Sequence, residues 1–410
     1  MTDQFSQYSI DITNGLTKQE KKDDGIFLTP RIIRQKLNER TIYWMNELQI
    51  KPKLILEPSC GSCEFISDLD GIYKKINFIG VEKNKKIFDI ISQQQITKNN
   101  KLTLLNEDFL ETNLANVDLV IGNPPYFVLH TKDIPTEYKQ YTNGRPNIYC
   151  LFILHALKTL HTKKNSLLSF VIPKSILNSS YYEGVRKYIY DNYNLLELID
   201  YKSDNNFMDT DQDTVGIIIT NNRQIRSPIQ YIIQTENSGI IMTLDSVLLA
   251  ELYKNSTTLK ALGLGVKTGS IVWNEHKDIL TDDTKQTLLL YNSNISKNHL
   301  ELKQFKNDTK KQYIIHDKSE TKPFIVVNRG RGNTNFNLSF YKIDEDNVKQ
   351  NVLIENHLNI IFNKTNSDPG ILDKIIISLQ DKRTIRFLEL FSGNNALSKT
   401  ELETILPIYM

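Results

Sequence analysis

Between Lys53 and Thr220, short β-branched runs alternate with longer segments of helical spacing, and no other feature of the chain limits its fold as tightly. The runs Lys53–Glu57, Asn77–Glu82, Leu102–Leu105, Val117–Ile121, Ser166–Ile172, Leu195–Asp200 and Thr214–Thr220 read as strands. Segments near Cys63–Tyr73, Lys85–Gln95, Asn147–Leu160 and Ile176–Asp191 read as helices. Apolar strands separated by helices pair in parallel, because each crossover takes a helix's length and covers one face of the sheet. The spacing therefore predicts an α/β fold: a doubly wound, seven-stranded, Rossmann-like domain.

After Ile233 the rhythm breaks into a polar stretch, a linker helix at Leu244–Tyr253, and shorter apolar runs rich in Asn, Lys and Asp. The expected organisation is a first domain over 1–240, a linker over 241–261 and a smaller α+β domain over 262–410. In the latter, Phe324–Val327 and Asn335–Tyr341 read as strands around the Gly-rich turn Asn328–Asn333. A length of 410 residues suits two domains, each with its own core. No apolar run reaches the roughly 18 residues of a membrane-spanning helix. The polar stretch Met1–Asn14 has no signal-peptide pattern, so a cytoplasmic place without membrane partners is expected.

Three cysteines cannot build a disulfide framework. Cys60 and Cys63 form a C-x-x-C, but zinc needs two further ligands nearby and a redox pair needs a thioredoxin-like setting. Small side chains in a tight turn account for both, and no metal site is expected. The net charge of +2 decides little. Its distribution says more: from Lys297 to Arg331 nine basic residues stand against four acids, either as a solvated face or as a track for a phosphate backbone.

The sharpest motif is Asp118-Leu119-Val120-Ile121-Gly122-Asn123-Pro124-Pro125-Tyr126. Two prolines cannot continue a sheet ladder, so the chain leaves the sheet at its carboxyl edge, where open α/β sheets bind ligands. There the Asn123 side-chain oxygen and the Pro124 carbonyl offer two acceptors, and Tyr126 a flat face. An aromatic amine such as adenine N6 is a poor nucleophile because its lone pair is delocalised into the ring. Two acceptors on its two hydrogens localise that pair for in-line attack on a methyl sulfonium. Asn is not basic, so the proton is expected to leave after transfer.

Upstream, the strand Leu54–Glu57 runs through Pro58-Ser59-Cys60-Gly61 into a helix, a loop of small residues that lets a ligand approach the backbone. Glu82 follows Glu57 by 25 residues, one strand–helix–strand unit, which puts an acid at the second strand's end for ribose hydroxyls. Asp108-Phe109 follows 26 residues later, beyond the third strand, placed to receive an adenine amine and cover its ring.

These motifs, in this order, resemble the S-adenosylmethionine-dependent amino-methyltransferases of nucleic acid, in particular the adenine-N6 DNA methyltransferases whose cofactor motifs precede the catalytic one. The resemblance runs from Gly25 to Asn221. It implies that Thr29 and Pro30, in Gly25-Ile26-Phe27-Leu28-Thr29-Pro30, contact the methionine part of the cofactor. Glu57, Pro58, Ser59, Cys60 and Gly61 become the cofactor loop, Glu82 the ribose ligand, Asp108 and Phe109 the adenine contacts, and Asn123, Pro124, Pro125 and Tyr126 the NPPY catalytic motif. Asn206-Phe207, followed by Gln212-Asp213-Thr214-Val215, is similar to the late motif whose aromatic packs on the flipped base; a buried core role for Phe207 stays open. Cys63 departs from the pattern, since related sequences often have Gly there.

The resemblance makes the second domain the target-recognition region and implies double-stranded DNA as substrate; a monomer is expected, with room for a separate cognate restriction endonuclease that the sequence does not decide. Tyr138, Tyr141 and Arg145, in the loop after the catalytic motif, and Arg329, Arg331 and Asn333 in the Gly-rich turn are the candidate DNA contacts. NPPY also serves protein-glutamine and ribosomal RNA methyltransferases. Thr29-Pro30, the Phe207 region and the long second domain favour DNA over both, and intact Asn123, Pro124 and Tyr126 speak against a non-catalytic DNA-binding subunit.

Overall fold

The computed structural model describes residues 4–201, 213–225, 227–235, 239–329, 338–391 and 397–410. It falls into two compact units, one of Met1–Thr235 with Gly239–Ser246, the other of Val247–Met410.

The first unit is built on the seven-stranded sheet. Strands β1 (Leu54–Glu57), β2 (Asn77–Val81), β3 (Lys101–Leu105), β4 (Leu119–Gly122), β5 (Leu167–Pro173), β6 (Asn194–Asp200) and β7 (Thr214–Thr220) lie in the order β3-β2-β1-β4-β5-β7-β6. The first five are parallel, while β7 runs antiparallel to both β5 and β6. The order reverses between β1 and β4, so the loops leaving their carboxyl ends part from each other there.

Both sheet faces are buried. Val120, Leu168, Phe170, Val215, Ile217 and Ile219 face one core, together with Leu151, Leu154 and Leu157. The alternate residues Leu119, Ile121, Leu167, Val171 and Ile218 face the other. This period of two on strands covered on both sides explains why the runs read as continuously apolar.

Three helices precede β1: α1 (Gln7–Asn14), α2 (Lys18–Asp23) and α3 (Arg31–Glu47). Sequence reading placed no helix there, although Ile33, Leu37, Trp44 and Met45 make a buried face at helical spacing. Thr41 ties α3 to the sheet, its Oγ1 2.6 Å from Ser169 Oγ. Further helices among the described residues are α4 (Glu64–Asp70), α5 (Lys85–Ile91), α6 (Tyr149–Thr159) and α7 (Glu183–Asn192). The helix expected over Ile176–Asp191 is broken into two short 3-10 turns, Lys174–Leu177 and Ser180–Tyr182, before α7. The run Asn178-Ser179-Ser180 is the physical reason, since short polar side chains compete for backbone groups and disfavour helix interiors.

In the second unit Leu264–Thr268, Leu358–Asn363, Phe324–Asn328 and Phe340–Ile343 form one antiparallel sheet in that order. A second sheet orders Leu280–Thr281, Tyr313–Ile314, Thr287–Leu290 and Val352–Ile354, the last pair parallel. Helices Ile371–Gln380, Lys382–Phe391 and Lys399–Thr404 follow. Of the strand expected over Asn335–Tyr341, residues 335–337 lie outside the described residues, and Phe340–Ile343 is strand, with Phe340 paired to Val327. No described helix is long and apolar enough to cross a membrane.

Cys63 is fully buried and caps α4 with φ 58° and ψ 33°, a left-handed conformation that glycine adopts at no steric cost. Its amide donates to the Cys60 carbonyl at 2.6 Å, closing the turn. Cys63→Gly is therefore expected to be more stable than Cys63→Ala by about 1 kcal/mol, because both lose the thiol and only glycine is relaxed at that φ. Urea unfolding of the two variants reads the difference, and an alanine variant at least as stable would show that the turn stores no strain.

Candidate active site

The reversal point opens into a cleft of about 310 Å³. Its walls include Thr29, Glu57, Pro58, Ser59, Cys60, Gly61, Glu82, Asp108, Phe109, Asn123 and Pro125, drawn from five separate stretches of chain. Pro30 is not on the wall; it stands at the cap of α3.

Glu57 ends β1, with Oε2 accepting the Ile66 amide at 3.3 Å, and burial pushes its carboxyl well above the usual range. Glu82 follows β2. It accepts the amides of Gly61 at 2.9 Å and Asn84 at 2.7 Å, and burial raises it too. A Cβ at Gly61 would meet nothing within 4 Å, so that position is open space beside the loop rather than packed core. Asp108 caps a 3-10 turn through Leu110, at 3.0 Å, and accepts Lys83 Nζ at 2.8 Å. Phe109 is buried between Phe152 and His155.

Asn123 leaves β4 with its amide orientation fixed. Nδ2 donates to the Phe27 carbonyl at 3.2 Å and Thr29 Oγ1 at 2.9 Å, and a carbonyl can only accept, so Oδ1 must face the other way. Oδ1 meets the Tyr126 hydroxyl, which also lies 2.8 Å from the Val171 carbonyl. Burial holds the Tyr126 phenol well above its ordinary pKa, so it carries its one proton. One proton shared between two acceptors leaves each with less than a full hydrogen bond. No hydrogen bond among the described residues uses the Pro124 carbonyl.

Tyr126 was expected to present a flat face at the rim, but it is only 6% exposed. The Phe27 ring covers it, near-parallel at 26° with centroids 5.7 Å apart, and Tyr149 meets it edge-on. Gly25 makes this approach feasible. It has φ +62°, and a Cβ there would lie 2.7 Å from the Tyr126 amide nitrogen and 2.9 Å from the Phe127 ring.

Of the residues expected at DNA, Tyr138 is fully buried. Its hydroxyl lies 2.7 Å from His155 Nδ1, whose other nitrogen faces the Thr112 carbonyl at 3.1 Å. Burial lowers the His155 pKa, so the neutral ring carries its proton on Nε2 and accepts from Tyr138. Tyr138 thus anchors the loop rather than reaching outward, which corrects the expectation. Tyr141 is half-buried against Tyr188, and Arg145 is exposed. Arg329 Nη2 donates to the Asn356 carbonyl at 2.7 Å. Phe207, Arg331 and Asn333 lie outside the described residues.

Two basic residues of the cleft wall had not been singled out. Arg34, 5% exposed, donates to the Thr29 carbonyl at 2.9 Å and pairs with Glu64 at 2.5 Å and Asp68 at 3.0 Å. Lys83 pairs with Asp108 across the far end. For Lys83 the only signal in sequence is its place after Glu82; for Arg34 there is none without knowledge of α3.

Residues 45–207 match the family described as Eco57I restriction-modification methylase. The type II methyltransferase M.CvrRI of Paramecium bursaria Chlorella virus XZ-6E is 29% identical, covering 99% of both chains. The modification methylase CviBIII of Paramecium bursaria Chlorella virus NC1A is 34% identical over 53% of this chain and 55% of its own. Among solved structures, the type IIL restriction-modification enzyme MmeI, solved in complex with DNA, shares the fold at a TM-score of 0.59 and 11% identity, covering 98% of this chain and 69% of MmeI. By these likenesses the chain is similar to the type II modification methylases over nearly its whole length, and it shares the fold of MmeI.

Proposed function

We propose that the protein methylates N6 of an adenine turned out of double-stranded DNA at a specific site. The observation that carries this reading is a pair of acceptors beside the cleft: the Pro124 carbonyl, with no hydrogen bond among the described residues, and the Asn123 amide oxygen, which shares one phenolic proton with Val171. An exocyclic amine brings two N–H donors and fits that deficit. With both hydrogens held, the nitrogen lone pair is drawn out of the ring and aimed into the cleft.

S-adenosylmethionine supplies an electrophilic methyl group on a sulfonium. The chain's part is to hold and orient. Glu82 would hold the ribose hydroxyls, Asp108 and Phe109 the nucleoside base, and Thr29 with the Glu57–Gly61 loop the amino-acid end. The open space at Gly61 and the excess of acids in the walls suit a cationic nucleoside. Tyr126 and Phe27, already near-parallel, are a ready sandwich for a flipped base once they separate. Asn123 is no base, so the extra proton leaves the aminium afterwards, to water.

Asn123→Ala is expected to lower kcat for methyl transfer to duplex DNA by at least about 10²-fold, the cost of losing one preorganised partner of the reacting group. Tritiated methyl transfer followed by base-resolution analysis of the product checks this. Label on cytosine N4, on ribosomal RNA or on a protein glutamine would discard the reading.

Cofactor binding is expected to depend on pH through Glu57. Its raised pKa means that the empty site favours the neutral acid, whereas a sulfonium and an ammonium favour the carboxylate. Affinity for S-adenosylmethionine should therefore rise as pH climbs through and above the ordinary carboxylate range, with protons released on binding. Calorimetry in buffers of different ionisation enthalpy measures that release. Glu57→Gln should abolish it, and an unchanged release in that variant would assign the proton elsewhere.

A further inference from the structure

The basic run from Lys297 to Arg331 is not uniformly available. Lys303 pairs with Glu301, Lys311 with Asp282 and Lys322 with Glu345, so those charges are met within the chain. Lys297, Lys306 and Lys318 are exposed and make no ion pair among the described residues. Lys310 is different. Its ammonium lies 4.0 Å from the ring centroid of Tyr291, 4.8 Å from Phe305 and 5.2 Å from Trp273.

An aromatic box holds a cation by its quadrupole, so it fixes the ammonium without cancelling its charge, whereas a carboxylate does both. Lys310 forms no ion pair among the described residues. The acid that attracts it through space is the buried Glu355, whose Oε1 is engaged by His357 at 2.5 Å. Partial burial draws the Lys310 pKa down, the direction expected of a charge short of counter-ions.

The box itself is built. Tyr291 is buried, donates from its hydroxyl to the Lys311 carbonyl at 2.7 Å, and meets Phe305 edge-on at 5.0 Å. The Lys310 amide is pinned to the Asn307 carbonyl at 2.9 Å. A second ammonium, Lys277, lies 5.7 Å from the centroid of the same Trp273 ring. Glu275 and Asp278, in the same stretch, make no ion pair with either lysine among the described residues. The two ammonium groups thus lie against one indole, each with a charge that no ion pair among the described residues meets and that is available to a backbone phosphate.

We propose that Lys277 and Lys310, positioned by Trp273, Tyr291 and Phe305, form a phosphate-binding site for the backbone of duplex DNA. This rests on the reading of DNA as substrate. It is a positioning contact that carries no base information, since phosphate contacts fix register and orientation.

The test is a fluorescence-anisotropy titration of the full chain with a short duplex between about 50 and 200 mM salt. Lys310→Met keeps a side chain that packs against aromatic rings but removes the charge. It should lower the log–log salt slope by about 1, and Lys277→Met with Lys310→Met by about 2. Lys310→Arg should restore the slope. Melting temperatures report whether each variant is folded, and Lys277→Met alone, at an exposed position, keeps the test open should the box collapse. An unchanged slope in folded Lys310→Met or Lys277→Met overturns the site while leaving DNA as substrate intact. A wild-type chain that binds no duplex removes the substrate reading and the site together.

Discussion

The point between β1 and β4 where strand order reverses governs everything that follows in the first unit. Connections on either side of it depart in different directions, so the carboxyl ends of the two strands are left uncovered by their own loops. Glu57 ends β1, Asn123 leaves β4, and Glu82 follows β2 one strand further out. Three polar side chains separated by long stretches of sequence reach one cleft because parallel pairing aligns strand ends. Register makes this strict: Leu56 pairs with Ile79 on one side and Val120 on the other, and a slip of one residue would turn Glu57 to the opposite face.

The sequence made the sheet legible because its strands are buried on both faces and therefore read as uninterrupted apolar runs. The cleft acids and Asn123 were legible because each stands at a strand's carboxyl end, a position that periodicity can fix. What stayed hidden depends on partners far away in the chain. The burial of Tyr138 depends on His155, and that of Tyr126 on Phe27, 99 residues earlier. Neither pairing leaves a local signature. Cys63 lies between these cases: its departure from glycine was visible, but its meaning required the left-handed φ that the turn imposes.

Polar groups in the cleft divide by whether the protein closes their hydrogen bonds. Glu82 is held by two amides, Asp108 by an amide and a lysine, and Arg34 by a carbonyl and two carboxylates. Such groups are fixed in place and suited to orienting a ligand. The groups left short, at Pro124 and in the Asn123–Tyr126–Val171 cluster, stand where the proposed reaction needs donors to arrive. Buried acceptors without donors cost roughly 1–3 kcal/mol each, so an arriving amine would be favoured by relief of that deficit as well as by stacking.

The strap from Gly25 to Thr29 links these two sets. Its Phe27 carbonyl helps orient the Asn123 amide, while its Phe27 ring covers the face of Tyr126 that a flipped base would use. Lifting the whole strap would free the ring face but also release the amide, undoing the alignment that the chemistry needs. Moving only the Phe27 side chain frees the face and keeps the backbone bond. Gly25, packed against the Tyr126 amide with no room for a Cβ, holds that backbone in place during such a rotation. The close approach at glycine fixes the main chain, and a rotation of the half-buried Phe27 ring is the motion that stacking of the proposed flipped base would require.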